Sequence, residues 1–129
     1  MRIVSAHKNG ERIPELVLDY NESPEPGAVI AIAGLSNGLG GALAANLNIP
    51  VINCPPFANS HELALNINSS LMMPSGVPAV TVIGPELAAE AALRSLNLPE
   101  IRAAINDKRI ATKARLKLDD TEVRRMLHA

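Results

Sequence analysis

The 129 residues carry a formal net charge of −1 and are 47% apolar but only 2% aromatic. A chain of this length supports one hydrophobic core, so a single domain over residues 1–129 is expected, built from aliphatic side chains. The lack of stacking aromatics and of net positive charge argues against a nucleic-acid partner, and no apolar run approaches the roughly 20 residues that cross a bilayer.

In chain order, Arg2 to Ala6 reads as a short β-branched strand that ends abruptly at Ser5-Ala6-His7-Lys8. Glu11 to Tyr20, with Pro14 in its first turn, suits a short helix, and Asn21 to Gly27 a surface connection. Ala28 to Ala33 is a continuous apolar run, the mark of a strand buried on both faces. The glycine-rich loop Gly34 to Gly41 follows, and then Leu39, Ala42, Leu43 and Leu47 recur at helical spacing.

The same unit repeats. Pro50 to Asn53 reads as a strand broken by Cys54-Pro55-Pro56-Phe57, a turn that could include a cis proline. A helix from about Ser60 places Leu63, Ile67 and Leu71 on one side. Val77 to Ile83 is the next strand, and Ala89, Ala92, Leu93 and Leu96 mark the next helix. Pro99 starts a final charged helix, with the tail from Asp119 adding a turn or two. Eight of the twelve Lys and Arg residues lie between Arg102 and Arg125, mixed with Asp and Glu; such a mixture reads as a solvated face.

Strands alternating with helices imply a parallel sheet covered on both sides. Ligands bind such sheets beyond the carboxyl ends of the strands. His7, Ser36-Asn37, Cys54-Pro55-Pro56 and Gly84 all follow strands directly, so the pattern gathers them on one rim.

Cys54 is the only cysteine, which excludes an intrachain disulfide and reads as a buried, inert thiol. His7, Cys54, His61 and His128 show no zinc-type ligand spacing, and no metal or other cofactor is expected. Neither G-x-G-x-x-G nor G-x-x-x-x-G-K-[ST] occurs. No leader-like segment opens the chain, and a soluble cytoplasmic protein without a membrane partner is expected. His7 beside Lys8 is placed for proton transfer, although a structural role suits it equally. Ser36 and Asn37 sit where a helix begins; they read as an N-cap, or as part of a cradle for a small anion.

Taken together, these segments resemble the PurE-type phosphoribosylaminoimidazole carboxylase family, more closely its class II, carbon-dioxide-dependent branch. The resemblance rests on Ser5-Ala6-His7-Lys8, the loop Ala33 to Gly40, Pro50 to Pro56, Ser69-Ser70-Leu71, Met73-Pro74-Ser75-Gly76 and Thr81-Val82-Ile83, all in the family's order. It implies a flavodoxin-like α/β fold, a three-layer α/β/α sandwich with a parallel sheet. It also implies a purine-biosynthetic lyase that carboxylates aminoimidazole ribonucleotide at C4 with carbon dioxide or bicarbonate. By position His7 would be the catalytic base and Lys8 would help hold the ribonucleotide. Ser36, Asn37 and Gly38 would line the pocket, with Ser5, Pro55, Met73 and Pro74 also contacting substrate. Class I mutases have Ala-Ala-His in the loop, so Ser36-Asn37 implies carboxylase chemistry. The family forms homo-octamers in which the equivalent of Met73 to Gly76 closes over a neighbour's pocket.

The sequence departs from the family at Leu35 and Met72, where arginines are usual, at Asn66, where an aspartate is usual, and at Asn68, where an aromatic is usual. Family members also begin with a strand, a phosphate-binding G-S-x-S-D loop and a helix ahead of the Ser-Ala-His segment. This sequence starts at that segment, as if truncated at the N-terminus. Three arrangements would answer the absence. A full-length PurE-like partner chain or an upstream segment could supply the unit, Arg2 to Ala6 could pair directly with Ala28 to Ala33 in a four-stranded sheet, or a strand could be swapped between subunits. The departures also admit a non-catalytic paralogue, an assembly or ligand-sensing subunit.

Overall fold

Val29–Ala31 (β1), Val51–Asn53 (β2) and Val80–Thr81 (β3) are parallel and hydrogen-bonded in the order β1-β2-β3. They are the strands of a computed structural model that describes residues 1–128. Their side chains alternate between the faces of the sheet, as period-two geometry demands. Val29, Ala31 and Val51 pack on one face with Leu16, Leu39 and Leu43, while Ile30, Ile52 and Cys54 pack on the other with Ala88, Ala91 and Ala92. Burial on both faces is why these strands read as unbroken apolar runs.

The helices supply those two covers. A 3₁₀ turn, Gly10–Arg12, leads into α1 (Ile13–Asn21), with Pro14 in the first turn where its missing N–H does no harm. Next come α2 (Gly38–Asn46), α3 (Ser60–Leu71) and α4 (Pro85–Leu96). α1 and α2 pack together over the face that carries Val51, whereas α4 lies over β1 and β2 on the other. The result is the flavodoxin-like α/β/α layering that the resemblance implies. Everything so far belongs to one compact unit, Met1–Leu96.

A second unit starts at Asn97. It contains α5 (Pro99–Leu127), a continuous 29-residue helix with no buried residue. Ion pairs Arg115–Asp119 at 2.8 Å and Arg124–Asp120 at 3.1 Å run along it at helical spacing. No helix among the described residues is long and apolar enough to cross a membrane.

Three expectations are corrected. Arg2 to Ala6 forms no strand, and no rearranged four-stranded sheet exists among the described residues. β-Branched residues favour strands only where a ladder partner is available, and nothing pairs with this segment among the described residues. The other strands are shorter than expected: β1 pairs with β2 through Val29, Ile30 and Ala31, and β3 pairs with β2 only through Val80 and Thr81. All described peptide bonds, including those in Cys54-Pro55-Pro56, are trans.

Candidate functional site

The loop between β1 and α2 is shaped by two left-handed residues, Leu35 (φ 56°) and Asn37 (φ 43°). Asparagine tolerates that region because its short amide can bond locally. Asn37 does so twice. Its Oδ1 accepts from the Gly40 N–H at 3.1 Å, capping α2, and its Nδ2 donates to Ser70 Oγ on α3 at 3.0 Å. It is only 3% exposed, so these bonds replace the water it has lost.

Neighbouring groups extend the anchor. Ser70 is itself buried, and its carbonyl accepts from Thr81 Oγ1 at 3.0 Å and from Asn53 Nδ2 at 3.4 Å. Asn53 Oδ1 is the one buried side-chain polar atom without a partner among the described residues. It lies against Gly40, where any Cβ would overlap it. A second tie runs through Asn66, whose Oδ1 accepts from the Leu35 N–H at 2.7 Å and whose Nδ2 donates to the Pro56 carbonyl at 2.6 Å. Loop, helix α3 and the ends of β2 and β3 are thus one hydrogen-bonded block.

His7 arrives from outside that block. Ser5-Ala6-His7-Lys8 folds into a turn in which the Ser5 N–H donates to Asn9 Oδ1 at 2.6 Å and Ser5 Oγ accepts from the Lys8 N–H at 3.3 Å. The turn sets the exposed imidazole over the start of α2, with Nε2 at 3.5 Å from Ser36 Oγ. Gly38 makes this approach possible, because a Cβ there would stand 2.7 Å from His7 Cε1. The N–H groups of Gly38 and Leu39, in the first turn of α2, have no protein partner among the described residues. They point from a helix N-terminus, a natural position for a carboxylate.

The structure therefore brings His7, Ser36, Asn37 and Gly38 together. Met73 lies beside α2, where its sulfur would stand 3.5 Å from a Cβ on Gly41. Lys8 and Pro74 are exposed and Pro55 is fully buried. Asn53, Asn66 and Ser70 were not singled out as site residues from the sequence. The available signals were their places in or beside the segments that resemble the family and the i, i+4 spacing of Asn66 and Ser70, which puts both on one face of α3. Cys54 is buried, which pushes its thiol pKa up, and a hydrogen bond with the Gly84 backbone opposes that shift. No group of three His, Cys, Asp or Glu side chains among the described residues could hold a metal ion.

Comparison with known proteins gives this geometry a context. Residues 1–115 match the family described as AIR carboxylase. The chain is 47% identical over 96 residues to the probable multifunctional protein ADE2 of Caenorhabditis elegans, covering 74% of the chain and 22% of that relative. It is 34% identical over 127 residues to a phosphoribosylaminoimidazole carboxylase of Treponema denticola, covering 97% of the chain and 79% of the relative. The crystal structure of Treponema denticola PurE superposes with a TM-score of 0.85 at 35% identity, over 94% of this chain and 77% of that one. The chain spans only 22% and 30% of the C. elegans and Drosophila melanogaster relatives.

Proposed function

The chain belongs to the AIR carboxylase family, and on that premise we propose that it carboxylates aminoimidazole ribonucleotide at C4 with carbon dioxide, in purine biosynthesis. The observation that carries the reading is the placement of His7 Nε2 beside Ser36 and over Gly38, at the N-terminus of α2. The electron-rich C4 attacks the carbon of carbon dioxide. A carbon–carbon bond forms as one C=O pair moves onto oxygen. The C4 proton then passes to His7, and its bonding pair restores the aromatic ring. The new carboxylate sits at the free N–H groups of Gly38 and Leu39, where the helix dipole favours negative charge.

In the same reading Lys8 meets the ribonucleotide, Asn37 holds the loop, and Ser5, Met73 and Pro74 line the approach. Pro55 shapes the floor from beneath. A cytoplasmic homo-octamer, in which Met73 to Gly76 closes over a neighbouring pocket, completes the proposal. Calorimetric titration with aminoimidazole ribonucleotide tests it without assuming turnover. Saturable binding that weakens on Lys8→Ala is expected, and no binding at millimolar ligand would overturn the assignment.

A further inference from the structure

Gly34-Leu35-Ser36-Asn37-Gly38 has the form G-x-S-x-G. In parallel α/β sheets that pattern builds a nucleophile elbow, a tight strand-to-helix turn that lifts a serine hydroxyl clear of the sheet. The context here is the one the motif requires, since the five residues run from beyond the end of β1, at Ala31, into the start of α2, at Gly38. Leu35 and Asn37, on either side of Ser36, are both left-handed, a conformation that a leucine adopts only at a cost. The fold holds it there, because the Leu35 N–H donates to Asn66 Oδ1 at 2.7 Å and the Asn37 amide is bonded to Gly40 and Ser70. Between these two fixed residues the Ser36 side chain is left exposed.

A base stands beside it. His7 Nε2 lies 3.5 Å from Ser36 Oγ, the looser spacing common in a nucleophile–base pair before substrate closes it. The other ring nitrogen has no partner among the described residues, so the pair is a dyad with no carboxylate behind it. The turn from Ser5 to Asn9 and the missing Cβ of Gly38 aim the imidazole instead. The Asn37 N–H, the donor next after the serine, is engaged by the Gly34 carbonyl at 3.2 Å. That leaves the N–H groups of Gly38 and Leu39 to receive an oxyanion. Leu35, 79% exposed beside the serine, offers apolar surface to an uncharged leaving group.

We propose that Ser36 and His7 form a nucleophilic dyad that hydrolyses small activated acyl esters. Ser36 Oγ attacks the ester carbonyl carbon while His7 Nε2 takes the hydroxyl proton, and the C=O pair moves onto oxygen at the N–H groups of Gly38 and Leu39. As that pair returns, the bond to the leaving alcohol oxygen breaks and His7 gives this oxygen the proton. Water then attacks the acyl-Ser36 carbonyl with His7 again as base, which releases the carboxylic acid and restores the serine. The inference does not rest on the carboxylase reading. Its nucleophile and its substrate are different, and its test contains no ribonucleotide, so either can fail without the other.

The test treats the full chain with para-nitrophenyl acetate, read as nitrophenolate release, and separately with a fluorophosphonate, which labels an activated serine irreversibly. Peptide mass spectrometry then locates the modified residue, which should be Ser36 in wild type. His7→Asn should slow both hydrolysis and labelling by about 100-fold, within the range of a lost general base. Ser36→Ala should slow hydrolysis at least as much. Both side chains are exposed, so circular dichroism should show the fold kept in each variant. His61→Asn, which removes an exposed imidazole of α3, should change nothing. Equal hydrolysis by wild type and Ser36→Ala, with acetyl only on Lys8 or an imidazole, would mean ordinary surface acylation and overturn the proposal. Ser36 left unmodified by the fluorophosphonate, or labelled equally fast in wild type and His7→Asn, would overturn it too.

Discussion

The two halves of the candidate site are held in opposite ways. The Ser36–Gly38 half is fixed by the buried amide of Asn37, by Ser70 and by the Asn66 bridge, all tied to α3 and the strand ends. The His7 half is held by a local turn and by the exposed Arg2–Asp19 ion pair at 3.2 Å. Exposed pairs of that kind contribute little. One half is bonded into the fold and the other rests on a local turn, so substitutions of the buried bonding residues should register as stability and those that displace His7 as rate.

Gly40→Ala should break the contrast most severely. The new methyl group overlaps Asn53 Oδ1 inside the block, and a loss of about 3 kcal/mol is expected from overpacking, read as a lowered urea midpoint. Gly38→Ala sharpens it. Gly38 has ordinary φ, and its added Cβ would crowd the end of the exposed His7 imidazole and stand 3.4 Å from Ala6 Cβ, an ordinary contact. Stability should hold, or rise by up to about 1 kcal/mol from helix propensity, while displacing His7 lowers kcat/KM by about 100-fold. Equal falls in both measurements would mean that His7 is part of the rigid block after all.

Asn37→Ala removes a cap and a buried hydrogen bond and leaves the left-handed region to a residue with no amide to bond locally, for about 2 kcal/mol. Asn37→Gly keeps the backbone freedom and should lose less, so comparing the two by chemical denaturation separates strain from bonding. The smallest effect concerns pH. Burial raises the Cys54 thiol above its ordinary 9.0, so the unfolded chain releases this proton at lower pH than the folded one. Stability from this group is complete below pH 9 and declines as pH climbs from there through the folded-state value. Cys54→Ala should flatten that alkaline decline in denaturation curves taken across the range.

Much of this was legible in the sequence. Unbroken apolar runs gave β1 and β2, because a doubly covered sheet needs them, and the glycine loop announced its helix. Arg2 to Ala6 misled for a physical reason, since strand-forming side chains form a strand only beside a partner. Asn53, Asn66 and Ser70 were opaque because polar residues on helices and strand ends usually face water. Only the fold turns them inward against the loop.

The central claim is that His7 acts chemically on a substrate that other groups of the site hold. The most direct test is single-turnover carboxylation of aminoimidazole ribonucleotide by wild type and His7→Asn, with substrate affinity measured in parallel. The expected result is a rate lower by about 10²–10⁴-fold, the range of a lost general base, with affinity changed less than about twofold. Equal rates for wild type and variant, with both chains folded and binding, would contradict it.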